Sequence, residues 1–213
     1  MYVLQKQGSK IVKLRVFKII KKTRVEGPNL RYCIWVQGCS KHCEGCYAIN
    51  TWDKNSGEII DTKNIIEDIK AQKGLDGITF LGGEPFEQAS ALASIARFAR
   101  KNGLSVLTFT GQLYEDLKIS DNKGIQKLLK YTDLLIDGGF EKENFDLSRP
   151  WVGSSNQRYI FLTDFYDEKI ISKFKNKIEV RINEKGEASL NGMGDFKKIE
   201  KNLIKNKFFK KIR

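Results

Sequence analysis

Eight consecutive residues, Cys39-Ser40-Lys41-His42-Cys43-Glu44-Gly45-Cys46, carry three of the four cysteines in the chain. They follow the apolar run Tyr32-Cys33-Ile34-Trp35-Val36, which reads as a buried strand. The fold must therefore let a rigid strand deliver a loop of clustered thiols, and such loops are where binding chemistry gathers. Thiols packed into one tight loop suit a soft metal or cluster better than disulfides, which need a specific separation and facing Cβ atoms. Cysteine-ligated iron–sulfur centres normally use four cysteines. This loop offers three, which leaves one iron of a cubane open to a ligand that is not protein. A closed tetrahedral zinc site, completed by His42 or Cys33, is the alternative. The single histidine adjoins Cys43, so both would have to converge on one ion from neighbouring backbone positions. Cys33 lies within the strand, where a free cysteine behaves as a small buried hydrophobe. Cysteine spacing alone does not separate the two metals.

The chain of 213 residues is long enough for one sizeable core. Its 40% hydrophobic and 30% charged content excludes a disordered chain. No run reaches the roughly 18 apolar residues of a membrane span, and no signal-peptide core opens the sequence. The expectation is a cytoplasmic protein, without a membrane role, whose thiols stay reduced. The net charge of +12 is concentrated in Lys10–Lys22 and Lys197–Arg213. Basic ends suit nucleic acid or an acidic protein surface. No interleaving of arginine and aromatic residues builds a base-stacking platform, so nucleic acid is the lesser expectation.

Hydrophobic periodicity predicts a strand over Ile11–Ile20, placed at a sheet edge, and a second over Leu30–Gln37. Thr51-Trp52-Asp53 and Asn55-Ser56-Gly57 mark an irregular segment. Asp61 is a natural N-cap for a helix that turns Ile65, Ile66 and Ile69 to one face. Strands over Gly77–Leu81, Leu104–Phe109 and Leu134–Ile136 alternate with helices over Gln88–Asn102 and Ile125–Tyr131. That alternation predicts right-handed βαβ units around a parallel sheet, whose ligands collect at the carboxyl ends of the strands. The cysteine loop, Gly82-Gly83-Glu84-Pro85, Thr110 and Asp137 each follow a strand, so one rim gathers them. Beyond a loop over Glu141–Gln157, strands are expected at Tyr159–Leu162, Ile178–Ile182 and Ala188–Leu190, with a helix over Asp195–Asn206. The pattern predicts an α/β fold, an incomplete barrel in one domain spanning 1–213.

With the cysteine loop and Gly82–Pro85 both at strand ends, the chain resembles the radical S-adenosylmethionine superfamily. More closely, it resembles the activating enzymes of anaerobic (class III) ribonucleotide reductase. Glu26-Gly27-Pro28-Asn29-Leu30-Arg31, Gln37-Gly38-Cys39, Gly45-Cys46-Tyr47, Asn50-Thr51-Trp52 and Gly82–Pro85 carry the likeness. Leu135-Ile136-Asp137-Gly138, Trp151 and Gly153-Ser154-Ser155-Asn156-Gln157 extend it in order over a core of about 12–160, leaving 161–213 as a C-terminal α+β extension. Asn29 departs from the family pattern, which has a second glycine there.

The resemblance implies a partial βα barrel in which Cys39, Cys43 and Cys46 bind a [4Fe–4S] cluster. Its open iron is chelated by S-adenosylmethionine. Gly82 and Gly83 then let backbone approach the methionine end, with Glu84 near its ammonium or capping the next helix. Thr110 and Asp137 serve its carboxylate and ribose sides, or ordinary turns. Ser154–Arg158 either closes over the adenosyl group or forms a polar turn. In the family, an electron from flavodoxin or ferredoxin cleaves S-adenosylmethionine to a 5′-deoxyadenosyl radical. That radical removes a hydrogen atom from a glycine of the partner, the large subunit of the anaerobic reductase. No general base or nucleophile is implied, and no catalytic side chain is assigned. Two other readings stay open: a small radical enzyme acting on another peptide or small molecule, and a basic nucleic-acid-binding or regulatory iron–sulfur protein.

Overall fold

The computed structural model describes residues 12–205. Strand β1 (Lys13–Thr23) pairs antiparallel with β2 (Arg31–Val36) and β3 (Glu58–Asp61). Helix α1 (Thr62–Ala71) returns the chain to β4 (Gly77–Gly82), and α2 (Ala89–Lys101) to β5 (Ser105–Phe109). Helices α3 (Tyr114–Ile119) and α4 (Lys123–Tyr131) precede β6 (Leu134–Asp137), and β7 (Arg158–Phe161) follows. The sheet order is β3-β1-β2-β4-β5-β6-β7, with β2, β4, β5 and β6 mutually parallel and β7 antiparallel on the far edge. The α/β expectation holds. β1 lies inside the sheet, however, because β3, where the sequence reading assigned no strand, takes the edge.

The period of two decides which side chains meet the helices. Tyr32, Ile34, Val36, Ile78, Phe80, Val106 and Leu135 pack with Ile65, Ile69, Leu92, Ile95, Ala96 and Leu128. Asp61 caps α1 through Lys63 N–H as its sequence predicts. The intervening residues face the other way: Cys33 meets Ile20 and Leu81, and Leu107 and Ile136 meet Trp151 and Val152. Arg31 is wholly buried, and among the described residues no carboxylate pairs with it. Its guanidinium donates to Thr79 Oγ1 at 2.6 Å, Pro28 O at 3.1 Å and Ser105 Oγ at 3.0 Å, so hydroxyls and carbonyls satisfy the charge.

After β7 come α5 (Lys169–Lys173), β8 (Ile178–Ile182), β9 (Ala188–Gly192) and α6 (Phe196–Lys205). The strands expected at Ile178–Ile182 and Ala188–Leu190 form, and β8 pairs with β9 in a separate two-stranded sheet. Polar contacts join that hairpin to the core. Thr23 Oγ1 donates to Glu179 Oε2 at 2.8 Å, and Gly192 N donates to Glu26 Oε1 at 2.6 Å. Of the basic face read in Lys197–Arg213, Lys207, Lys210, Lys211 and Arg213 lie outside the described residues.

Candidate metal centre at the strand ends

The loop leaving β2 is fixed by its own backbone before any thiol is reached. Gly38, at φ +100°, donates to Thr51 O at 2.7 Å, and Cys39 N donates to Trp52 O at 3.2 Å. Gly83 N reaches back to Val36 O at 2.9 Å, and Glu84 N to Gly38 O at 2.8 Å. Gln37 Nε2 donates to Asn50 O at 3.1 Å and Asp53 O at 2.8 Å. Ser40 N donates to Glu87 Oε1 at 2.8 Å, and Lys54 pairs with the other oxygen of Glu87 at 3.2 Å. His42, at φ +48°, stacks on Trp52 with centroids 4.6 Å apart and planes at 21°. These ties reach the loop from two separate segments, 50–54 and 83–87, so tertiary structure sets the loop.

Cys39 is buried, Cys43 and Cys46 are half-buried, and all are free. Burial pushes the Cys39 thiol up, opposed by the backbone N–H groups of Lys41 and His42. Burial likewise raises Cys46, opposed by the Ala48 N–H at 3.4 Å and by the Trp52 side chain. Cys33, wholly buried, is driven far up by the same desolvation and lies among Ile20 and Leu81. Among the described residues no three His, Cys, Asp or Glu side chains converge on one ion position. A closed zinc site needs its ligands about 2.0–2.3 Å from one centre. A cubane instead takes each thiolate on a separate iron.

The opposing strand ends are stripped to backbone where the loop leans on them. A Cβ on Gly139, after β6, would stand 3.4 Å from Cys43 Sγ, and one on Gly111, after β5, 3.3 Å from Lys41 Cγ. A Cβ on Gly83 would lie 2.2 Å from Gly38 O, and one on Gly82, at φ +103°, 2.8 Å from Trp35 Cα. A three-thiol loop that sets Cys43 against Gly139 and leans on Gly83 and Gly111 fits a cluster. Gly82, the last residue of β4, and Gly83 after it are required by the protein's own chain, whatever else they bind.

The remaining strand-end residues are engaged with one another. Buried Glu84 accepts from Phe86 N at 2.9 Å, Thr110 Oγ1 at 2.8 Å and Gly111 N at 2.9 Å. Burial raises its carboxyl and these donors pull it back. Asp137, also buried, accepts from Tyr114 N at 2.8 Å and from Arg158 at 3.0 and 2.5 Å. Gly83, Glu84 and Thr110 thus share the rim with the cysteine loop, while the Asp137 carboxylate is held by Arg158. Asn156 Nδ2 and Gln157 Nε2 tie Ser154–Arg158 to Gly139 O at 2.8 Å and Gly138 O at 3.1 Å. Sequence reasoning missed Gly111, the loop tie of Trp52 and the Arg158 pairing. The Gly138-Gly139 pair was visible, but its contact with Cys43 was not.

Residues 25–160 match the family described as the 4Fe-4S single cluster domain. The anaerobic ribonucleoside-triphosphate reductase-activating protein of Enterobacteria phage T4 is 35% identical over 150 residues, 66% of this chain and 89% of the phage protein. The chain belongs to this activating-protein family. Proteins of the same name from Vibrio cholerae serotype O1 and Escherichia coli K12 are 33% and 31% identical over 141 residues, covering 62% of this chain and 88% and 89% of theirs. The 4Fe–4S family match covers the whole cysteine loop and stops before β8, β9 and α6. Those added elements reach the loop nonetheless: Phe196 of α6 packs on Tyr47, next to Cys46, with centroids 5.4 Å apart. In this activating-protein homologue, no helix among the described residues is long and apolar enough to cross a membrane.

Proposed function

We propose that this chain activates an anaerobic ribonucleoside-triphosphate reductase by placing a glycyl radical on it. Cys39, Cys43 and Cys46 would hold a [4Fe–4S] cluster, with S-adenosylmethionine at its open iron. When bound, these groups supply the one-electron chemistry that ends in removal of a hydrogen atom from the partner's glycine. The observation that carries the reading is the three-thiol loop leaning on glycine strand ends, in a chain whose 4Fe–4S family match includes it.

The chain's own work is orientation. Gly82 and Gly83 keep backbone at the surface beside the loop, where N–H and C=O groups can meet a methionine end. Glu84 and Thr110 fix the next two strand ends together, and Asp137 with Arg158 fixes the third. No proton-transferring side chain is assigned. The sheet acts as a partial barrel within one domain spanning 1–213, in the cytoplasm, with flavodoxin or ferredoxin as donor. Anaerobic reconstitution followed by assay of 5′-deoxyadenosine, with and without the reductase, tests the proposal. A fully loaded protein that forms none with reductant and reductase present would sink it.

A further inference from the structure

Cys46 N donates to Cys43 O at 3.1 Å, so two of the three loop thiols stand at the ends of one tight turn. Two side chains from beyond β6 lie over its tip. Gly45 has φ +77°, and a Cβ there would be 3.3 Å from Phe140 Cε1 and 3.5 Å from Lys142 Cδ. Lys142 Nζ also meets Glu44 Oε1 at 2.8 Å. A Cβ on Gly153 would be 3.3 Å from Phe140 Cδ2, so the ring packs between two glycines. The backbone on either side of Phe140 is gripped by the polar segment that follows. Asn156 Nδ2 donates at 2.8 Å to the carbonyl of Gly139, the residue set against Cys43. Gln157 Nε2 donates to Gly138 O at 3.1 Å, and Ser154 Oγ accepts from Glu141 N at 3.2 Å. Gln157 Oε1 accepts from Gly153 N at 2.7 Å, which fixes the second glycine.

We propose that Phe140 is a positioning residue for the cluster: its ring clamps the Cys43–Cys46 turn at Gly45, and Asn156 and Gln157 hold it there. The inference rests on the cluster assignment above and gives the segment 154–157 a task, that of bracing the clamp. Contacts outside the ligand set govern how firmly a metal group is held. The Glu44–Lys142 pair is exposed on both sides and contributes little, so the ring carries the clamp. Cys39 is fastened separately, through Trp52 O and the bond from Ser40 N to Glu87, and Cys33 lies within β2. The clamp therefore acts on two thiols of the four.

In the apoprotein, Phe140→Ala should let Cys43 and Cys46 react with iodoacetamide several-fold faster than in wild type, with Cys39 and Cys33 unchanged. Phe140→Tyr keeps the ring and should keep wild-type rates. In the loaded Ala variant, the reduced cluster should give a broadened electron paramagnetic resonance signal and lose iron to a chelator faster. Asn156→Ala leaves the ring and removes only the tie to Gly139 O. It should show the same pattern more weakly, and it decides the matter if Phe140→Ala does not fold. Acceleration of all four thiols alike, or of none, in a folded variant overturns the role of Phe140. Wild-type protein that takes up no cluster overturns instead the reading beneath it, and the alkylation pattern still decides the clamp.

Discussion

Thr110 Oγ1 donates to Glu84 Oε1 at 2.8 Å, across the ends of β5 and β4. Gly111 N adds a second bond to the other oxygen at 2.9 Å, so one buried carboxylate closes both strand ends. Thr110→Val keeps the shape and removes the hydroxyl donor. A loss of about 1–3 kcal/mol is expected, read as a lower urea midpoint at unchanged slope. Glu84→Gln should lose more, because its NH2 would face a donor.

Iron content should fall sharply in Cys39→Ala, Cys43→Ala and Cys46→Ala and persist in Cys33→Ala. Cys33 is wholly buried among Ile20 and Leu81, so its truncation should cost only about 1 kcal/mol of stability. Anaerobic iron and sulfide analysis decides it. A Cys33 variant without iron beside a loop variant with it would reverse the assignment.

Gly83→Val now carries a different expectation from the one its motif suggests. Its Cβ would stand 2.2 Å from Gly38 O, one residue before Cys39, so the whole loop must shift. Cluster loading and S-adenosylmethionine affinity should therefore fall together. Full iron loading with affinity alone abolished would show that Gly83 serves only the cofactor.

Burial raises Glu26 to about 7 from an ordinary 4.5, opposed by the Gly192 N–H and Asn191. The native state therefore holds an extra proton between those values. Stability from the neutral carboxyl is complete below the unfolded value and is lost as pH rises through about 7. A shift of this size corresponds to about 3 kcal/mol. Urea midpoints at pH 5 and pH 8 should differ less in Glu26→Gln than in wild type. Identical pH dependence in both proteins would remove Glu26 as the cause.

The exposed lysines of α6 give a test of partner docking. Lys201 and Lys205 are exposed on the helix whose Phe196 meets Tyr47. Charge reversal at both should slow activation of the reductase at low salt, with the difference fading as salt rises. Cleavage of S-adenosylmethionine without the partner should not change. Equal activation rates across a salt series would make the lysines ordinary surface.

The linear sequence was enough for the parts governed by local chemistry. Short apolar runs marked β2, β4, β5 and β6, the Asp61 cap and Ile65/Ile69 spacing marked α1, and Cys39–Cys46 stood out by density alone. Each is a relation between residues a few positions apart. What tertiary structure decided are relations across tens of positions. β3 became the edge because Lys13–Val16 offered it a pairing partner, a choice its four residues do not encode. β7 takes the far edge of the main sheet, and β8 pairs with β9 in a sheet of their own. That Arg158 pairs with Asp137, and that Gly139 lies against Cys43, are relations only the fold displays. Long-range pairing depends on which surfaces close together, so the motif names the thiols while the fold supplies their surroundings.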